Sequence, residues 1–203
     1  MTGSKPLTVA LFGPTACGKT KTAIEIARRF NGEIINLDSV QMYRGLDVGS
    51  AKPTPLELGQ APHHLIDIAE PLQKLSPFEV VEKARDAAKK ILSKNRLPVF
   101  CGGTGLYFKA LFDGLFEGPA AHPEIRKKIR KQALEQGIPF LHQQLKKIDP
   151  ETAARISEND LVRIERALEV FEATGKTLSD FHREQRYEPD FEFIRIGLNY
   201  PRP

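Results

Sequence analysis

Leu7-Thr8-Val9-Ala10-Leu11-Phe12-Gly13-Pro14-Thr15-Ala16-Cys17-Gly18-Lys19-Thr20 joins a short apolar run to a complete G-x-x-x-x-G-K-T phosphate loop. The first six residues read as a buried strand. From Lys21 to Phe30 the pattern turns helical, with Ala23, Ile26, Ala27 and Phe30 on one face. Strand, glycine loop and helix start aim several backbone N–H groups and a positive dipole end at one point. Lys19 adds a point charge for terminal phosphates, and the Thr20 hydroxyl suits Mg²⁺. Gly13, Pro14, Thr15, Ala16, Cys17, Gly18, Lys19 and Thr20 are therefore the predicted di- or triphosphate site, with Thr20 as its metal ligand.

Beyond that helix, strands and helices alternate. Glu33–Asp38 reads as a buried strand ending in a carboxylate, and Ser39–Thr54 as an ordered loop or short helix. His63–Ile68 reads as a third strand. Ser76 is the expected N-cap of a helix running to Lys94, with Pro77 at its first position. Leu97–Cys101 is a fourth strand. It leads through Gly102-Gly103-Thr104-Gly105 into a helix from Leu106 to Phe116. Such alternation predicts a parallel sheet with right-handed crossovers.

The alternation then stops. Helical pattern covers Pro123–Gln136, Phe140–Lys147, Glu151–Ile156, Asn159–Thr174 and Leu178–Arg186, and Phe191–Leu198 returns to strand. The expected organisation is an α/β core over 1–117, an all-helical insertion over 118–187 and a return strand within 188–203.

Composition narrows the class. The 203 residues are 40% hydrophobic and 28% charged, with a net charge of +4, which fits a globular protein and does not by itself announce nucleic acid. No apolar run approaches the ~20 residues of a membrane span, and no leader-like stretch opens the chain. Two cysteines make no disulfide framework, so a reducing, cytoplasmic setting is expected. Cys101 reads as a small buried apolar residue. His63 and His64, consecutive on a strand, point to opposite faces and do not share a metal.

Asp38 is the chemically telling carboxylate, because the later strand ends in Gly-Gly-Thr-Gly rather than an acid. It suits either assistance to a metal or phosphate acceptor, as in small-molecule kinases, or general-base chemistry with a departing diphosphate. The stretches Leu37–Thr54, Pro62–Asp67, Gly102–Tyr107, Asn159–Val170 and Gly197–Pro201 occur in an order that strongly resembles the tRNA dimethylallyltransferases. The resemblance runs over essentially the whole chain and implies a P-loop NTPase-like fold. It also implies transfer of a dimethylallyl group from dimethylallyl diphosphate to N6 of the adenine 3′-adjacent to the anticodon, with Mg²⁺.

By the same resemblance Asp38 is the catalytic base and Thr104 a second catalytic residue. Asp38, Ser39, Val40, Gln41, Thr104, Arg126, Val162, Arg163, Ile164, Glu165 and Arg166 contact the anticodon stem-loop of tRNA, and a monomer is favoured. Arg163 and Arg166 also suit pairing with Glu165 or Glu169, and Lys127–Lys131 suit either generic phosphate attraction or a solvated helix face. Cys17 stands where the family usually has serine, with no redox role. The resemblance further implies helices and a diphosphate-binding basic residue beyond Tyr200-Pro201-Arg202-Pro203, so the chain reads as a fragment or a shortened form. Transfer to free adenine nucleotides, small-molecule phosphorylation and silent RNA binding are the competing functions.

Overall fold

A computed structural model describes residues 4–114, 119, 121–184 and 187–199. The expected helix ends at Phe116 and Arg186 and the closing Tyr200-Pro201 lie outside these residues. The chain divides into two compact units, Met1–Leu115 with Glu188–Pro203, and Phe116–Tyr187.

The first unit is built on a five-stranded sheet: β1 (Leu7–Phe12), β2 (Gly32–Asn36), β3 (His63–His64), β4 (Leu97–Gly102) and β5 (Glu192–Gly197). All pairs are parallel, in the order β3-β2-β4-β1-β5. Its helices are α1 (Lys19–Arg29), α2 (Pro55–Leu58), α3 (Pro77–Leu92) and α4 (Gly105–Asp113). Successive strand residues face opposite sides, so the two faces sort themselves. Ala10, Ile35 and Phe100 pack with α3 and α4, whereas Val9, Leu11, Ile34 and Val99 pack with Ala23, Ile24 and Ala27 of α1. Burial on both sides explains why β1, β2 and β4 read as unbroken apolar runs.

Local signals set the boundaries. Ser76 caps α3 as expected, closing a box in which its hydroxyl accepts from Glu79 N at 3.2 Å while Ser76 N donates to Glu79 Oε2 at 2.8 Å. The third strand is shorter than the His63–Ile68 pattern predicts. Leu65 and Asp67 have φ of 61° and 54°, left-handed values that break the pleat after His64. The second strand ends at Asn36, yet Leu37 N still donates to Cys101 O at 2.8 Å, so Asp38 is the first residue off the sheet.

The second unit is helical: α5 (Pro123–Gln136), α6 (Ile138–Ile148), α7 (Pro150–Arg155), α8 (Leu161–Thr174) and α9 (Leu178–Glu184). Ile129, Leu141, Leu145, Ile164 and Leu168 form its core. Gly175, at φ 72°, closes α8 in the left-handed conformation.

The end of β4 lies so close to β2 that a Cβ on Gly102 would sit 2.1 Å from Leu37 O. Gly102→Ala should therefore lower the unfolding free energy in urea melts by about 2–3 kcal/mol through overpacking. Gly105→Ala, where an added Cβ meets nothing within 4 Å, should be neutral or stabilising.

Candidate active site

Parallel strands deliver their carboxyl ends to one edge of a sheet, and ligands of open α/β folds bind there. In the first unit that edge carries the loop after β1, Asp38 after β2 and Gly102 at the end of β4, around a cavity of about 340 Å³. Thr15, Ala16, Gly18, Lys19, Thr20, Asp38 and Gln41 line it.

The loop is curled by left-handed residues at Ala16 (φ 66°) and Gly18 (φ 83°). Gly18 precedes α1 without any side-chain cap, so the first N–H groups of the helix have no side chain to satisfy them. Among the described residues, no backbone bond is drawn from the N–H groups of residues 15–20. This is a concave run of donors suited to an anion. Lys19 Nζ donates to Pro14 O at 2.6 Å and lies 3.9 Å from Cys17 Sγ. Cys17 is buried, as its small side chain allows, and so is Cys101, whose thiol is pushed up to about 12 by burial. Cys101 is therefore not disposed to act as a thiolate nucleophile. Thr22 turns its hydroxyl back on Gly18 O at 3.2 Å, while Thr20 lines the cavity.

Asp38 is half-buried. Its Oδ1 accepts from Val40 N at 3.0 Å and Gln41 N at 3.5 Å, which fixes the carboxyl plane and leaves Oδ2 toward Gly103. A Cβ built on Gly103 would lie 3.6 Å from Asp38 Oδ2 and 3.9 Å from Lys19 Nζ, so carboxylate and ammonium border the same glycine. Thr104 joins the group through Ser39, whose N–H donates to the Thr104 hydroxyl at 3.0 Å. That hydroxyl keeps its own proton to donate.

Asn36, Ser50, Ala51, Pro53, Glu57 and His63 also line the cavity, although the sequence patterns gave no reason to select them. His63 Nδ1 faces Ala61 O at 2.8 Å; a carbonyl only accepts, so Nδ1 carries the proton. Its Nε2 is buried without a partner among the described residues, and burial pushes the ring's basicity below the ordinary value. His64 instead meets the buried carboxylate of Glu33 at 2.6 Å. The two histidines thus have separate partners, and no group of three metal-ligating side chains occurs among the described residues.

In the helical unit the expected RNA-contacting residues divide. Val162 and Arg163 are exposed at the start of α8, with Arg163 paired to its N-cap, Asp160. Ile164 and Glu165 are not surface residues. Ile164 is fully buried in the core, and Glu165 is buried while accepting from Arg130 Nη2 at 3.0 Å. A helix turns about 100° per residue, so a consecutive run cannot all face outward. Arg126 and Arg166, each about one-third exposed, converge on Glu169. Arg126 donates to both its oxygens at 2.7 and 2.9 Å, Arg166 at 2.8 Å and His122 N at 2.8 Å.

The curled donor loop, with a lysine and a strand-ending carboxylate beside it, defines a phosphate-loop α/β protein. The IPP transferase family model matches residues 41–203, and the isopentenyl transferase model matches residues 7–73. A tRNA dimethylallyltransferase of Verminephrobacter eiseniae is 52% identical over 86% of this chain and 52% of its own length. Its counterpart in Geobacillus thermodenitrificans is 44% identical over 96% and 62%. Among solved structures, the tRNA isopentenylpyrophosphate transferase of Bacillus halodurans aligns with a TM-score of 0.59 at 38% identity, over 96% of this chain and 60% of that one. A eukaryotic dimethylallyltransferase acting on tRNA aligns with a TM-score of 0.78 at 25% identity, over 95% and 48%. The chain belongs to the tRNA dimethylallyltransferase family. It spans between about half and two-thirds of the length of these curated relatives.

Glu169 supplies a pH test. Burial alone would raise its carboxyl, but hydrogen bonds from Arg126, Arg166 and His122 N outweigh that and hold it down to about 2, against an ordinary 4.5. A depressed carboxyl stabilises the fold above its ordinary value and loses that contribution as pH falls from 4.5 toward 2. Hydrogen-exchange protection of α5 and α8, taken relative to the intrinsic rate at each pH, should fall through that window. Glu169→Gln should remove the dependence and destabilise the fold at neutral pH by about 1–3 kcal/mol, since Arg126 and Arg166 lose charge-assisted bonds and keep Glu165 and Pro119 O as remaining partners.

Proposed function

We propose that this chain carries the catalytic core for transfer of a dimethylallyl group from dimethylallyl diphosphate to N6 of the adenine 3′-adjacent to the anticodon in tRNA. The observation that carries the proposal is Asp38 Oδ2 and Lys19 Nζ bordering one glycine at the rim of a donor-lined loop. A base and an anion cradle so close together suit a substitution in which a diphosphate leaves.

Adenine N6 is a weak nucleophile because its lone pair is delocalised into the ring. In this reading the N6 nitrogen forms a bond to C1 of the dimethylallyl group as the C1–O bond to diphosphate breaks. The N6 proton passes to Asp38 Oδ2, whose partner oxygen is already held by Val40 N and Gln41 N. Negative charge growing on the leaving oxygens meets Lys19 and the N–H groups of the loop from Thr15 to Thr20. Thr104 holds Ser39, and with it the start of the loop that carries Asp38, and its hydroxyl proton remains available to the substrate.

Mg²⁺ fits the residues present. It favours water and substrate phosphate oxygens over all-protein cages, which agrees with the Thr20 hydroxyl on the cavity wall and no three-residue ligand cluster among the described residues. Bound there, it would screen the diphosphate charge. A base inside a folded RNA loop must leave its stack to reach such a cavity. Exposed Arg163 and Val162 on the helical unit are the surface offered to the RNA.

Incubation with unmodified tRNA, Mg²⁺ and labelled dimethylallyl diphosphate should place label in the RNA, whereas label in AMP or ADP would mean a free-nucleotide enzyme. Asp38→Asn should lower kcat by about 10²–10⁴-fold with little change in KM, as expected for loss of a general base. Rescue of that variant by excess Mg²⁺ would make Asp38 a metal partner instead. Lys19→Ala should weaken dimethylallyl diphosphate binding by about 2–3 kcal/mol in calorimetry.

A further inference from the structure

One buried cation in the first unit has no place in the chemistry above. Lys52 lies in the loop between β2 and α2, and its side chain is only 7% exposed. Its Nζ donates to Asp47 Oδ1 at 2.6 Å, Asp67 Oδ1 at 2.7 Å and Tyr43 O at 3.0 Å. An ammonium has three protons, so each has a partner. Burial alone would lower its basicity, but the two carboxylates outweigh this and keep it charged. The three partners come from the start of the loop, its middle and the left-handed segment after β3. One side chain therefore fastens three stretches of backbone together.

What that fastening positions is Gln41. Lys52 directly follows Ser50 and Ala51, whose carbonyls accept from Gln41 Nε2 at 3.1 and 2.9 Å. Both neighbours are carbonyls, so the amide nitrogen must face them and the amide oxygen is the end left to turn elsewhere. Gln41, Ser50 and Ala51 line the cavity beside Asp38, whereas Lys52 does not. Gln41 N also donates to Asp38 Oδ1. Ala51 holds a φ of 51°, a conformation a non-glycine residue keeps only where its surroundings impose it.

We propose that Lys52 is a positioning residue. By locking residues 43, 47 and 67 around the 50–51 carbonyls it fixes Gln41 as a hydrogen-bond acceptor next to the Asp38 carboxylate. The cavity then presents acceptors on this side and phosphate-binding donors on the other. Such a wall favours a substrate that offers N–H donors, as an exocyclic amine does. This last consequence rests on the function proposed above; the fixing of Gln41 does not.

The test follows the Gln41 side-chain amide by NMR, assigned by its loss in Gln41→Leu. Lys52→Met keeps the aliphatic stem and removes all three donors. Solvent exchange of the Gln41 amide should then quicken roughly tenfold or more, as its two hydrogen bonds to the 50 and 51 carbonyls are released. Lys52→Arg, which retains charge and donors, should restore part of the protection even if both variants melt earlier. In parallel, the variants are titrated with an unmodified anticodon stem-loop RNA and with dimethylallyl diphosphate. Lys52→Met should weaken RNA binding about tenfold and leave diphosphate binding within about twofold. Unchanged Gln41 exchange in a folded Lys52→Met protein overturns the proposal. So does equal RNA binding by Lys52→Met and a wild type that binds RNA. If the wild type binds no stem-loop at all, the RNA reading of the site fails, while the exchange comparison still decides the role of Lys52.

Discussion

Gly102 sets the distance on which the candidate site depends. Parallel pairing of β2, β4 and β1 brings three strand ends to one edge, with Asn36 opposite Cys101 and Phe12 opposite Gly102. At that edge the backbone of β4 approaches Leu37 more closely than any side chain permits. Asp38 is therefore carried toward Gly103 and the loop after β1 without a bridging side chain. Lys19 and Asp38 share a border because no Cβ stands between the strands.

The chain uses buried carboxylates in two different ways. Glu33 and Glu169 are nearly inaccessible and are faced by cations, Arg96 and Lys94 around one and Arg126 and Arg166 around the other, with the His64 ring also bonded to Glu33. Such pairs tie strands and helices together, and breaking them leaves an uncompensated charge. Asp38 has no ion pair among the described residues. Its partners are backbone N–H groups that satisfy one oxygen and leave the other at the cavity. That difference in partners, more than burial, separates a carboxylate held in ion pairs from one left with an open oxygen.

Much of the site was legible because its signals are local. The phosphate loop is contiguous, Asp38 ends an apolar run, and Ser76-Pro77 announces a helix by capping chemistry. The misses share a cause as well. Leu65 and Asp67 adopt left-handed conformations that no apolar alternation encodes, so His63–Ile68 looked like a full strand. The run from Val162 to Arg166 is continuous in sequence but interrupted on the surface. A helix instead sends Arg163 outward and Ile164 into the core. Lys52 and His63 gave no signal: a lysine in a polar loop and a histidine beside another become informative only once their distant neighbours are known.

The pairing of β5 with β1 has a kinetic side. Thr8 Oγ1 donates to Glu192 O across 184 positions, and Leu198 N donates to Phe12 O at 2.8 Å. A Cβ on Gly13 would meet Leu198 O at 2.3 Å, so the first residue of the phosphate loop rests against the strand that comes last. Contacts so distant in sequence carry a large loop-closure cost and form slowly. The helical segment, whose core is drawn from its own residues, has no such delay. During synthesis β1 can find β4 roughly ninety residues on, yet one edge of β1 stays open until β5 has emerged. The loop after β1 is therefore among the last parts of the molecule to reach its final form, its sequence made long before its shape is complete.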